Sequence, residues 1–115
     1  FEIMQPIKGE LPHEEFWIIY LNNSNKILAK SQLSKGGITG TLVDVRIVFK
    51  SALEMGATSL ILCHNHPSGT LVPSDADKHI TKKLKIAGDS LEIKVLDHLI
   101  ITETNYFSFV DEGVF

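Results

Sequence analysis

The order of strand and helix signals along the chain predicts an α/β fold: a single three-layer domain with a central mixed β-sheet flanked by helices on both faces. Three observations predict it. Apolar residues recur at helical spacing from Leu42 through Val45, Val48, Phe49, Ala52 and Leu53. Ser59-Leu60-Ile61-Leu62-Cys63 is a short, uniformly apolar run of the kind buried on both faces of a sheet. A second helical segment after Ser74 then leads back into apolar runs near Glu92 to Leu96 and His98 to Thr102, which read as two further strands.

Taken in order, Phe16 to Leu21 is a continuous apolar and aromatic run ended by Asn22-Asn23-Ser24-Asn25. It reads as a strand and a turn, followed by a second strand near Lys26 to Leu33, which together make a hairpin. Gly36-Gly37 and Gly40 form a loop, and a helix runs from Thr41 to Gly56 with Thr41 or Thr39 as its cap. The Ser59 to Cys63 strand delivers His64 at its C-terminal end. The second helix runs from about Ser74 to Ala87, stopped by Gly88. Trp17, Tyr20 and Phe49 are most simply core residues, and no internal repeat, low-complexity tract or long linker interrupts the pattern.

Composition bounds the function. A chain of 115 residues with 43% hydrophobic content is one compact domain. Its single cysteine, Cys63, excludes an intrachain disulfide framework, fits a reducing, cytoplasmic compartment, and reads as a buried, inert thiol. No apolar stretch approaches a membrane span, so no membrane partner is expected. The start Phe1-Glu2-Ile3 has neither a charged leader nor an initiator methionine, so residues 1–115 read as a domain excised from a longer chain. With 11 Lys plus Arg against 14 Asp plus Glu, the domain is mildly acidic and is not expected to bind nucleic acid by itself. Lys78, Lys82, Lys83 and Lys85 are a local exception on the second helix, where a solvated surface is the simpler reading and a phosphate or acidic partner the sharper one. Exposed sheet edges, such as that of the first hairpin, leave pairing with a second copy or an extended peptide open.

The chemistry gathers at His64-Asn65-His66-Pro67, followed by Ser74-x-x-Asp77. Two imidazoles and a carboxylate make a metal site's inventory. Alternate positions on a regular strand share a face but stand well apart, so the convergence of His64 and His66 is expected to need the bend that Pro67 and Gly69 supply. With Asp77 as third ligand, a fourth position stays open for water, as in catalytic rather than structural zinc. Ser74 and Asp77 read equally as the cap and third residue of a helix, and that reading is compatible with the first. Asn65 reads as exposed loop polarity or a substrate-positioning group. Asp97 is a candidate to orient a ligating imidazole, although Asp97-His98 also reads as a turn with a satisfied histidine. The same ligands accept zinc, iron, cobalt or manganese.

His64-x-His66-Pro67-x6-Ser74-x-x-Asp77 resembles the JAMM (MPN+) metalloprotease motif. With His64-Asn65-His66-Pro67-Ser68-Gly69 and Val95-Leu96-Asp97-His98-Leu99-Ile100-Ile101, nearly the whole chain resembles the bacterial RadC family, named for DNA repair. The resemblance implies a JAMM/MPN, cytidine-deaminase-like architecture, an additional N-terminal helical region in the longer protein, and one zinc ion held by His64, His66 and Asp77. It also implies an upstream glutamate opening the first strand as general base. Glu14 takes that position, with Glu15 a one-residue alternative, since alternation lets only one of them face the site. Asn65 stands where the eukaryotic deubiquitinating members carry Ser or Thr, a departure on the substrate side.

The implied activity is metalloprotease or isopeptidase hydrolysis of a protein or peptide substrate. Glu14 would deprotonate the water and pass the proton to the leaving amine, and Ser74 would donate to the developing oxyanion. The alternatives are an inactive metal-binding interaction module of a DNA-repair-associated protein and a metal-dependent nuclease. Deamination is excluded by ligand inventory, because the chain carries neither His-x-Glu nor a Pro-Cys-x-x-Cys pair.

Overall fold

The computed structural model describes residues 15–35, 43–66, 70–103 and 105–115. Its elements are β1 (Glu15–Leu21), β2 (Ile27–Lys35), α1 (Val45–Met55), β3 (Ser59–Asn65), α2 (Asp75–Leu91), β4 (Lys94–Ile101) and β5 (Tyr106–Ser108). The strands form a sheet of order β2-β1-β3-β4-β5, in which β3 and β4 run parallel and the other neighbours antiparallel. The expected mixed sheet is therefore present.

The hairpin between β1 and β2 turns on asparagine chemistry. The Asn22 side-chain oxygen accepts the backbone N–H groups of Ser24 and Lys26, and Asn25 adopts the left-handed conformation (φ 58°). The first helix begins later than expected. Asp44 caps α1 by accepting the Arg46 backbone N–H, in place of Thr41 or Thr39, which lie outside the described residues. Gly56 ends α1 as anticipated, in the left-handed conformation (φ 73°) with its N–H turned back to the Ala52 and Leu53 carbonyls.

Alternation along β1 sorts the core into two faces. Phe16, Ile18 and Tyr20 pack with Leu60 and Leu62 of β3 and Val95 of β4, under Val48, Phe49 and Ala52 of α1 and Ile80 and Leu84 of α2. Ile19, Leu21, Cys63, Leu99 and Ile101 cluster on the opposite face, with Trp17, Ile61 and Leu96 against them. Helices were expected on both faces, but among the described residues α1 and α2 both pack on the first. Cys63 is buried, as expected of an inert thiol.

Two further expectations are corrected. The runs read as separate strands, Glu92 to Leu96 and His98 to Thr102, are one strand, β4, whose register against β3 shifts between Leu60 and Ile61 so that Leu96 is the extra residue. Gly88 does not stop the second helix, which continues to Leu91 and closes on Glu92 (φ 58°). Gly88 instead permits close approach. A Cβ there would lie 2.3 Å from the Ile93 carbonyl oxygen.

Alanine normally outranks glycine inside a helix by about 1 kcal/mol. Here the order should reverse, with Gly88→Ala lowering stability by about 1–3 kcal/mol in urea unfolding. A variant as stable as the wild type would mean that the entry to β4 shifts without cost.

Candidate metal centre

The centre forms where the C-terminal end of β3 meets the N-terminus of α2. His64 continues the face of Leu60 and Leu62, directly opposite Phe16 of β1. The strand runs on through Asn65, and the His66 N–H still donates to the Ile101 carbonyl at 2.9 Å. Strand alternation places both imidazoles on one face, and the bend expected from Pro67 and Gly69 lies outside the described residues. Their rings tilt together, with centroids 4.7 Å apart and the Nε2 atoms 2.9 Å apart.

Asp77 arrives on the buried stripe of α2, which runs Asp77, Ile80, Thr81, Leu84, Gly88 at helical spacing. The stripe is apolar over the core and polar where it reaches the histidines. A reciprocal capping box fixes its first turn: Ser74 Oγ accepts the Asp77 N–H at 3.0 Å, and the Ser74 N–H donates to Asp77 Oδ2 at 2.7 Å. Neither bond uses the hydroxyl hydrogen of Ser74. Asp77 Oδ1 stands 3.1 Å from His64 Nε2, and Oδ2 stands 3.4 Å from His66 Nε2. The helix-cap and ligand readings of this segment therefore coexist in one geometry.

The donors fit an ion. His64, His66 and Asp77 are all buried, and each offers a ligand atom within 4.8 Å of the others. Ligands about 2.0–2.1 Å from a tetrahedral ion stand about 3.3 Å from one another, close to the separations found here. His66 Nδ1 lies 2.8 Å from the Thr70 carbonyl oxygen, which can only accept, so the ring hydrogen sits on Nδ1 and Nε2 carries the lone pair. Burial raises the Asp77 pKa, but the contacts with His64 and His66 and the hydrogen bond from the Ser74 N–H outweigh it and hold the carboxyl below the usual range. An anionic carboxylate beside two imidazoles in a desolvated pocket could hold a cation.

The surrounding groups revise the other expectations. His98, not Asp97, contacts the His64 imidazole: its Nε2 lies 2.7 Å from His64 Nδ1, in mid-strand rather than in a turn. Asp97 instead accepts the N–H groups of His98 and Val110 and the Ser108 hydroxyl, tying β4 to β5 and the segment after it. His98 is fully buried. Desolvation, with the charges of His64 and His66 adding to it, keeps its pKa well below the ordinary histidine value. Phe16 stacks on His64 and Phe109 stacks on His98, so both rings are held in plane. Thr81, which the motif does not mark, completes the group by hydrogen bonding to His98 Nδ1. Its place four residues after Asp77 was the available signal.

Asn65 is no exposed loop residue. It is 1% exposed, and its side-chain oxygen accepts the Glu15 N–H at 2.6 Å. Glu15 accepts from Trp17 Nε1 at 2.9 Å, and Trp17 packs on the face away from His64. Glu14 lies outside the described residues. Of the lysine cluster, Lys78, Lys82 and Lys83 are exposed, whereas Lys85 donates to the Phe115 carbonyl and sits 4.0 Å over that ring.

Comparison with known proteins agrees with the geometry. The family model described as a RadC-like JAB domain matches residues 1–114. A UPF0758 protein of Flavobacterium johnsoniae is 74% identical over 115 residues, covering 100% of this chain and 50% of that protein. UPF0758 proteins of Porphyromonas gingivalis (42% identical, 99% of this chain and 51% of that protein) and Chlorobaculum tepidum (40%, 98% and 52%) match over similar spans. The chain spans about half the length of these curated relatives. With a metal-competent His64-His66-Asp77 group at the sheet end and a family match across nearly its whole length, the chain belongs to the RadC-like JAB domain family.

Proposed function

We propose that this domain is a zinc-dependent metallohydrolase that cleaves amide or isopeptide bonds in a protein or peptide substrate. The observation that carries this reading is the convergence of His64 Nε2, His66 Nε2 and a charged Asp77 carboxylate on one buried point. His64, His66 and Asp77 would hold the ion, which when bound supplies Lewis-acid polarisation and a more acidic water. Glu14 would take a proton from the attacking water and return it to the leaving amine. Ser74, whose hydroxyl hydrogen is not engaged by the capping box, donates to the carbonyl oxygen as it gains negative charge. The hydrogen bond that engages Glu15 with Trp17 supports Glu14 in the basic role.

The domain, residues 1–115, is read as one part of a longer cytoplasmic protein, a setting that suits its single buried cysteine. Among the described residues no helix is long and apolar enough to cross a membrane. The acidic balance disfavours nucleic acid as the direct substrate of this domain.

The test is metal content by mass spectrometry on untagged protein, comparing wild type with a His64→Ala, His66→Ala double variant. Near-stoichiometric zinc that is lost in the double variant is expected. No metal in either form, even after zinc is restored at neutral pH, would sink the hydrolase reading and leave Ser74 and Asp77 as a helix cap alone.

A further inference from the structure

Behind His64 runs an unbroken line of polar atoms that the hydrolytic reading does not use. Thr81 Oγ1 lies 2.7 Å from the Asp77 carbonyl oxygen and 2.5 Å from His98 Nδ1. His98 Nε2 lies 2.7 Å from His64 Nδ1, and His64 Nε2 faces Asp77 Oδ1 at 3.1 Å. Thr81, His98 and His64 are 3%, 0% and 1% exposed, so solvent does not freely supply or remove partners along this line.

Hydrogen counting restricts what the line can do. A threonine hydroxyl carries one hydrogen, and each neutral imidazole carries one. With the His64 Nε2 contact to His66 Nε2 at 2.9 Å included, three hydrogens must serve five contacts, so only two arrangements leave both inner contacts, Thr81–His98 and His98–His64, with one hydrogen each. In the first, Thr81 donates to the Asp77 carbonyl, His98 Nδ1–H donates to Thr81, and His64 Nδ1–H donates to His98 Nε2. His64 Nε2 is then a lone-pair donor aimed into the metal centre. In the second, every bond reverses, His64 Nε2 carries hydrogen, and the nitrogen cannot bind a metal.

We propose that Thr81, acting through His98, is a positioning residue that holds the ring hydrogen of His64 on Nδ1 and so keeps Nε2 ready to bind metal. Thr81 decides the direction because its hydroxyl sits one helical turn beyond Asp77, where hydroxyls donate back to the carbonyl four residues earlier. Reversal would set the Thr81 hydroxyl and Asp77 carbonyl oxygens lone pair to lone pair, in exchange for a bond from His64 Nε2–H to Asp77 Oδ1, and the ring-nitrogen spectrum of the metal-stripped chain decides between the two. The histidine beside the ligand contributes no charge, only a direction. The arrangement also ties both ligands to one helix turn, since the residue whose carbonyl anchors the line is the residue whose carboxylate faces the ion. This inference rests on the metal reading, but its first readout does not require metal.

The experiment compares wild type, Thr81→Val and Thr81→Ser on the whole chain. Nitrogen-15 NMR of the imidazoles, in metal-stripped and zinc-loaded protein, reports which ring nitrogen of His64 and His98 carries hydrogen, and chelator competition gives zinc affinity. Wild type and Thr81→Ser should show Nδ1–H on both rings. Thr81→Val leaves His98 Nδ1 without an acceptor, so His98 should move its hydrogen to Nε2 and drive that of His64 to Nε2 as well. Zinc affinity of Thr81→Val should then fall by about 10- to 100-fold, with Thr81→Ser near wild type. Nε2–H on His64 in wild type, or an unchanged pattern in Thr81→Val, would overturn the proposal. The expected NMR pattern in a wild type that takes up no zinc would support the tautomer assignment while removing the metal reading, so the two failures are distinct.

Discussion

Zinc added to the metal-stripped chain should raise its stability by about 4 kcal/mol once free zinc reaches roughly a thousand times the dissociation constant. The gain arises because His64, His66 and Asp77 meet only in the folded chain, where β3 brings the two imidazoles and α2 the carboxylate. Each kcal/mol is worth roughly 4–8 °C in a domain near this size, so a thermal unfolding series against zinc concentration reads the effect easily. The His64→Ala, His66→Ala double variant should show no such rise. Identical midpoints for wild type with and without zinc would contradict a buried site of this geometry.

The rise should also shrink in acid, because protons compete with the ion for the ligand atoms. Asp77 acts only at the acid end of the range. Its folded-state pKa is depressed, so the stability it contributes is present above the ordinary carboxylate value, about 3.9, and is lost only as pH falls from there through the folded value.

The alternation of apolar runs in the sequence made the sheet and its two helices legible, and the spacing of His64, His66 and Asp77 made a group that could hold a metal legible. What escaped was set by contacts between distant segments. The chain leaves β3 at Asn65 rather than Cys63 because the ladder to Ile101 continues past the apolar run, and composition cannot see a ladder. Gly88 looked like a helix stop because glycine usually is one, but its role is the approach of Ile93, a contact that no local pattern encodes. The runs on either side of Asp97 looked like two strands because a bulge breaks their alternation. That same bulge misassigned the pair, since it is His98 that turns to His64 while Asp97 serves β5. Thr81 went unremarked because a threonine inside a helix is ordinary until its partner across the layer is known.

Replacing Glu14 by glutamine should lower hydrolytic turnover by about 10²- to 10⁴-fold, the range for loss of a positioned general acid–base, while zinc content and thermal midpoint stay near wild type. Glutamine keeps the size and hydrogen-bonding reach of the side chain but cannot carry the proton from water to the leaving amine. The assay is turnover of an amide or isopeptide substrate taken from a peptide library screen with the wild type. Glu15→Gln is the matched control, because Glu15 is occupied by Trp17 on the opposite face of β1 and its backbone N–H is held by Asn65. Its turnover should remain within a few-fold of wild type. The reverse result, with Glu15→Gln inactive and Glu14→Gln active, would mean that β1 enters the site one residue out of the expected alternation. Full activity in both variants would remove glutamate from the proposed mechanism.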